Sequence, residues 1–173
     1  MAIRRLPNDA LSGRERLFAL AWHCVTIGRD QPSVRRTFPD IIMTLRIASC
    51  SCGRLSARVS GDPIRIGVCH CLACQRRSGS VFAAQARFPR QAVEISGTGT
   101  EHVLVGDEGG RARFTFCTTC GATVYFITEG DVDTIAIPIG AFADPGFPAP
   151  TFSVYEERMH PWVTLPVDME HIA

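Results

Sequence analysis

Three short cysteine clusters constrain this chain more than any other feature: Cys50-Ser-Cys52-Gly53, Cys69-His-Cys71-Leu-Ala-Cys74 and Cys117-Thr-Thr-Cys120-Gly121. Together they hold seven of the eight cysteines. Bridging residues i and i+2 is strained and an odd number cannot pair off, so the spacing selects a metal framework over a disulfide framework. In an extended backbone residues i and i+2 project to one side, so Cys50 with Cys52, and Cys69 with Cys71, each aim two sulfurs at one point. In a C-x-x-C-G turn both thiolates face an ion about 2.3 Å away, and the glycine takes the left-handed conformation that closes the turn. None of the spacings is a dedicated iron-sulfur pattern, which favours zinc. Seven ligands divide between two four-coordinate ions as four and three, giving one closed site and one with an open position, the arrangement catalysis requires.

Around the clusters the apolar pattern has period two. Leu55, Ala57 and Val59 alternate with Arg54, Ser56 and Arg58, and Ile64, Ile66 and Val68 with Arg65 and Gly67, which predicts half-buried strands. A first strand is expected from Met43 into Cys50. Further strands are expected over 81–88, 92–96, 102–105, 111–116, 123–127, 134–139 and 151–155, with glycine and proline at nearly every junction. The expected fold is mainly β: antiparallel sheets in a sandwich-like arrangement, stapled by cysteine-bound zinc.

At 173 residues the chain has room for one domain with its own core. Residues 1 to 42 differ in character, being Arg-rich, with an amphipathic stretch from Arg14 to Val25 interrupted on either side by Pro7, Pro32 and Pro39. They read as a short helical or disordered extension, with Met43 as an alternative start and the zinc-binding domain spanning 43–173. A net charge of +1 gives no basic excess for nucleic acid. The apolar run Leu17 to Gly28, 12 residues long, is too short for a bilayer and lacks a small-x-small cleavage site. Arg35-Arg36-Thr37-Phe38 is followed by Pro39-Asp40 rather than by the apolar stretch of a twin-arginine signal. The expectation is a cytoplasmic protein with no membrane association; nothing in the sequence specifies an oligomeric state.

The pattern Cys50-x-Cys52-Gly53, Cys69-His70-Cys71-x-x-Cys74-Gln75-Arg76-Arg77-x-Gly79, Phe116-Cys117-x-x-Cys120-Gly121 and the tail Arg158-Met159-His160-Pro161-Trp162 resembles the glutathione-dependent formaldehyde-activating enzymes. That domain is shared with centromere protein V and has an Mss4-like fold, and the match runs from about residue 44 to about residue 166. The resemblance implies that Cys50, Cys52, Cys117 and Cys120 hold a structural zinc, and that Cys69, Cys71 and Cys74 hold a second, catalytic zinc. Spacing alone would equally allow Cys71 and Cys74 to join Cys117 and Cys120. The implied reaction adds glutathione, as thiolate, to formaldehyde, giving S-(hydroxymethyl)glutathione; read in reverse it is carbon-sulfur lyase chemistry. Arg76 and Arg77, directly after the cysteine turn, are candidates for the glutathione carboxylates, against the plainer reading of two solvated arginines.

His70, between two ligands, is expected to point away from them and to pack or hydrogen-bond. His160 and Trp162 are expected to close the core through an aromatic contact with a buried imidazole. Cys24 lies outside the pattern. A B-type methionine sulfoxide reductase would need a nucleophilic cysteine beyond the metal motifs, and none follows Cys120. The alternative to an enzyme is a non-catalytic zinc module whose metal only staples the fold and whose surface binds a protein partner or a small thiol.

Overall fold

The computed structural model describes residues 44–106 and 109–172. The expected extension over residues 1 to 42, with its amphipathic stretch and Cys24, and the start at Met43 lie outside the described residues. Strands β1 (Leu45–Ser49) and β2 (Leu55–Ser60) form a hairpin around the first cysteine cluster, and β3 (Arg65–Cys69) delivers the second. Helix α1 (Leu72–Ser78) follows, then β4 (Ala83–Pro89), β5 (Val93–Gly97), β6 (Gly99–Val105) and β7 (Arg111–Cys117). The third cluster separates β7 from β8 (Thr123–Thr128); β9 (Asp131–Pro138), β10 (Phe152–Val154) and β11 (Glu170–Ile172) complete the order.

The strands form two sheets, a small one ordered β1-β2-β5 and a large one ordered β11-β10-β3-β4-β9-β8-β7-β6. The mainly β architecture expected from the periodicity is present. On β2 the alternation holds, with Leu55, Ala57 and Val59 buried and Arg58 exposed. These side chains meet Ile66, Ala86, Phe88, Val124, Ile135 and Ile137 of the large sheet, and Cys50 and Cys117 belong to the same core cluster. Ala136, between Ile135 and Ile137 on β9, packs instead with Phe114 and Phe126. Successive strand residues face opposite ways, so this second cluster lies on the other face of the large sheet. Its two rings stack with centroids 4.4 Å apart.

Three features depart from the expectations. First, the large sheet is not purely antiparallel: β10 pairs parallel with both β3 and β11. Strands β3, β4 and β9 alternate in direction, so β9 and β10 run the same way. A parallel return needs a long crossover, and the connection from Pro138 to Phe152 provides it. Second, the turn after Cys71 is a helix. Leu72-Ala-Cys-Gln-Arg-Arg-Ser contains no β-branched residue or glycine; the Cys71 side chain caps its start and Gly79, at φ 67°, its end. Third, β3 is covered on both faces from Gly67 to Cys69, while Ile64 before it is exposed. The Phe152 ring lies where a Cβ on Gly67 would sit, so the glycine lets β10 dock directly on β3.

Gly97 marks the passage from the small sheet to the large one. It holds φ 92°, and any Cβ there would run into the Arg54 carbonyl, so only glycine fits. Among the described residues no helix is long and apolar enough to cross a membrane.

Candidate metal centres and adjoining cleft

All seven described cysteines are free thiols, and they fall into two groups. Cys50, Cys52, Cys117 and Cys120 form one and Cys69, Cys71 and Cys74 the other, with the sulfurs of each group within 4.8 Å of one another. The Cys50 to Cys52 and Cys52 to Cys117 sulfur separations are both 3.6 Å. Sulfurs about 2.3 Å from a shared tetrahedral zinc lie about 3.8 Å apart, so the four-cysteine group fits a metal ion with little adjustment.

Two similar knuckles build that group. In the first, Cys50 N–H donates to the Leu55 carbonyl, Gly53 N–H to the Cys50 carbonyl, and Leu55 N–H to Cys50 Sγ at 3.3 Å. In the second, Cys117 N–H donates to the Ala122 carbonyl, Gly121 N–H to the Cys117 carbonyl, and Thr119 N–H to Cys117 Sγ at 3.4 Å. Gly53 and Gly121 both adopt the left-handed conformation, at φ 75° and 73°. The Cys50 to Gly53 segment is a turn, not the extended run that would let i and i+2 share a side. The sulfurs converge because the turn curls. One knuckle closes the β1–β2 hairpin of the small sheet and the other the β7–β8 hairpin of the large sheet, so the four sulfurs join the two sheets.

The three-cysteine group is assembled differently. Cys69 ends β3 and is buried; Cys71 is the helix N-cap in an extended conformation, and Cys74 follows in the first turn. Cys74 N–H donates to Cys71 Sγ at 3.3 Å, the role an aspartate or serine usually plays at a helix start. A hydrogen bond to Cys74 and burial push the Cys69 thiol up, and burial pushes Cys71 up. Cys74 is brought down to about 6 by hydrogen bonds from Cys69 and Cys71 and by the Arg77 guanidinium, against its burial. One thiolate is thus favoured at the expense of its neighbours, as expected where like charges crowd. A divalent cation among them would let all three ionise, so the donor set fits a soft metal ion.

The three sulfurs open onto a cleft of about 270 Å³. Leu104, Ala112, Phe114 and Phe126 supply its apolar wall, and Gln85, Arg87, Arg111, Thr128 and Tyr155 its polar groups. Arg87 is largely buried and held by Asp131 at 3.5 Å and Thr128 at 3.2 Å. Arg111 pairs with Glu129 at 3.0 Å. Tyr155 sits in the left-handed region at φ 60°, a strained conformation for a bulky side chain. None of these five polar residues stands out in the sequence, because β4, β7, β8 and β10 are brought together only by the sheet.

Arg76 and Arg77 do not line this cleft. Arg76 is exposed beside a neighbouring groove with His102, Leu104 and Val105, and Arg77 lies over the Phe114 ring, 4.5 Å from its centroid. The plainer reading of Arg77 as a solvated arginine is therefore corrected, because the helix that replaces the expected turn swings it inward. His70 is fully buried, edge-on to Phe82 at 5.9 Å, and neither ring nitrogen has a hydrogen-bond partner among the described residues. Burial lowers its pKa. His160 contacts Trp162 at 5.9 Å, but Trp162 is 70% exposed, so this pair caps the surface instead of closing the core.

The family model described as glutathione-dependent formaldehyde-activating enzyme matches residues 45–158, a span containing every cysteine of both groups. The chain belongs to this family. All the elements that line the cleft fall within the matched span. No curated protein matches the sequence. Among solved structures, the crystal structure of a Rhodobacter sphaeroides protein is similar, at 19% identity and a TM-score of 0.45, covering 59% of this chain and 90% of that one.

Proposed function

We propose that this protein is a zinc-dependent carbon-sulfur lyase that joins a glutathione-type thiol to formaldehyde or a related small carbonyl, and cleaves the same adduct in reverse. The observation that carries this reading is the placement of three converging sulfurs at the mouth of a partly apolar cleft. Cys50, Cys52, Cys117 and Cys120 would hold a structural zinc, and Cys69, Cys71 and Cys74 a second, catalytic one. Bound there, the ion supplies a Lewis acid that lowers the pKa of a substrate thiol. Thiolate ligands on this scale are maintained in a reducing compartment, in keeping with a cytoplasmic protein.

In the addition, a sulfur-carbon bond forms as the carbonyl π bond breaks, and the proton lost by the thiol ends on the new hydroxyl. The chain's own residues bind and orient. Phe114, Phe126 and Leu104 exclude water from the reacting atoms. Arg87 and Arg111 present guanidinium N–H groups to a substrate carboxylate, although each already shares a carboxylate of the protein. The groove beside Arg76 adjoins the cleft through Ala73 and Leu104, and offers a second cation to a thiol carrying two carboxylates. Arg77 lines the same groove, so both arginines stay candidates for the far end of the substrate.

The test is the rate of exchange between free thiol and hydroxymethyl adduct at equilibrium, followed by NMR with glutathione and labelled formaldehyde. The zinc-loaded protein should accelerate exchange above the uncatalysed rate, and Cys71→Ser should abolish the acceleration while retaining one zinc per chain. An inert protein holding a single zinc, with no affinity for glutathione, would establish the non-catalytic module instead.

A further inference from the structure

The Gln75 side chain bonds through both ends of its amide, to its own loop and to a segment far away in sequence. Its Nε2 donates to the His70 carbonyl at 2.7 Å and to the Arg158 carbonyl at 3.1 Å. Its Oε1 faces His160 Nε2 at 3.2 Å. Two carbonyls can only accept, so the amide orientation is forced, and His160 Nε2 must carry the proton it donates. One side chain thereby ties the peptide between Cys69 and Cys71 to the tail motif, across separations of 83 and 85 residues.

The two segments joined in this way are neighbours that line one cleft, Val154 pairing with Cys69 and Tyr155 following it. His70 lies between two of the three clustered sulfurs. Arg158 closes the short 3-10 turn begun at Tyr155, donating its N–H to the Tyr155 carbonyl at 3.1 Å. Tyr155 lines the cleft in a conformation its own backbone disfavours, and such strain persists only where the surroundings impose it. Next to it, a single backbone bond from His70 N–H to the Val154 carbonyl, at 3.1 Å, joins the same two segments.

We propose that Gln75 is a positioning residue: its amide locks the three-cysteine loop to the tail segment carrying Tyr155 and His160, and so fixes both the spacing of the sulfurs and the adjoining wall of the cleft. The part concerning the sulfurs rests on the proposed metal role of that loop; the part concerning the tail does not. Outer hydrogen bonds of this kind typically change metal affinity by about 10- to 100-fold when removed.

The test compares full-length wild type with Gln75→Glu and Gln75→Leu. Gln75→Glu keeps the size and shape but, ionised, has no N–H for the two carbonyls, which separates the lock from simple packing. In wild type, ring nitrogen NMR should show His160 as the single Nε2–H tautomer. Gln75→Leu should lose that signature and Gln75→Glu, which keeps an accepting oxygen for His160, should retain it, while in both variants the amides from Tyr155 to Val163 should exchange with solvent at least about 10-fold faster. Cobalt(II) titration should show about 10- to 100-fold weaker uptake at the three-cysteine group, with the thiolate-to-cobalt bands of the four-cysteine group unchanged. If Gln75→Leu fails to fold, Gln75→Glu decides. A Gln75→Glu protein with wild-type tail exchange and wild-type cobalt uptake would overturn the proposal. A wild type that takes up only one cobalt would sink the catalytic-zinc reading, while the His160 and exchange data would still decide the lock.

Discussion

Arg77 lays its guanidinium over the Phe114 ring, 4.5 Å from the centroid, with the Phe126 ring 5.9 Å away. The same charge helps to lower the Cys74 thiol, so one side chain props the apolar wall of the cleft and supports a clustered sulfur. Arg77→Met keeps the apolar stem and removes the charge. It should cost about 0.5–2 kcal/mol in urea unfolding and weaken metal uptake at the three-cysteine group by about 10-fold in chelator competition. Metal uptake at the four-cysteine group should not change.

Cys117 and Cys71 should behave differently when changed to serine. Cys117 is buried in the main core, in the group that joins the two sheets. A structural zinc contributes about 10 kcal/mol or more, comparable to the whole stability of a domain, so Cys117→Ser should abolish the cooperative thermal transition. Cys71 caps a short helix at the rim, and Cys71→Ser should remain folded by circular dichroism. Unfolding by both would show that the two groups do not divide the work as proposed.

The Phe152 ring occupies the space above Gly67. Gly67→Ala should therefore destabilise by about 1–3 kcal/mol through overpacking. Adding Phe152→Leu should recover part of that loss, and a double-mutant cycle would read the coupling. Strict additivity would mean that β10 does not dock as described.

Glu156 accepts from His171 at 2.7 Å, and the neighbouring Ser153 hydroxyl together with His171 holds its carboxyl below the usual carboxylate range. A depressed carboxylate contributes stability that is complete above its unfolded value, about 4.3, and is lost as pH falls through the lower native value. Acidification below about pH 4 should release the β10–β11 pairing first. Amide exchange from Met169 to Ile172 should report this, and Glu156→Gln should flatten the dependence.

Much of this protein was legible in the chain because the signals are local. The alternation of Leu55, Ala57 and Val59 with polar neighbours identifies a half-buried strand without knowledge of its partner. The Cys117 to Gly121 spacing identifies a ligand turn, since such a knuckle is closed by its own glycine, whereas the Cys50 to Gly53 segment, expected to be extended, curls in the same way. Helix α1 was hidden because the same C-x-x-C spacing suits a turn and a helix start; only the Gly79 cap and the absence of β-branched residues could have pointed to it.

The sequence by itself determined most of the strands, the three ligand-bearing clusters and, through their pattern, the family. Tertiary structure decided which sulfurs lie together, since spacing leaves Cys71 and Cys74 free to join Cys117 and Cys120. It also decided that Arg87, Arg111 and Tyr155 line the cleft beside the three-cysteine group, while Arg77 reaches Cys74 from over the Phe114 ring. The physical reason is that neighbours within a turn are set by backbone geometry over a few residues, whereas neighbours across a cleft are set by strand order and register. Those depend on how two whole faces bury each other, which no short stretch of chain encodes.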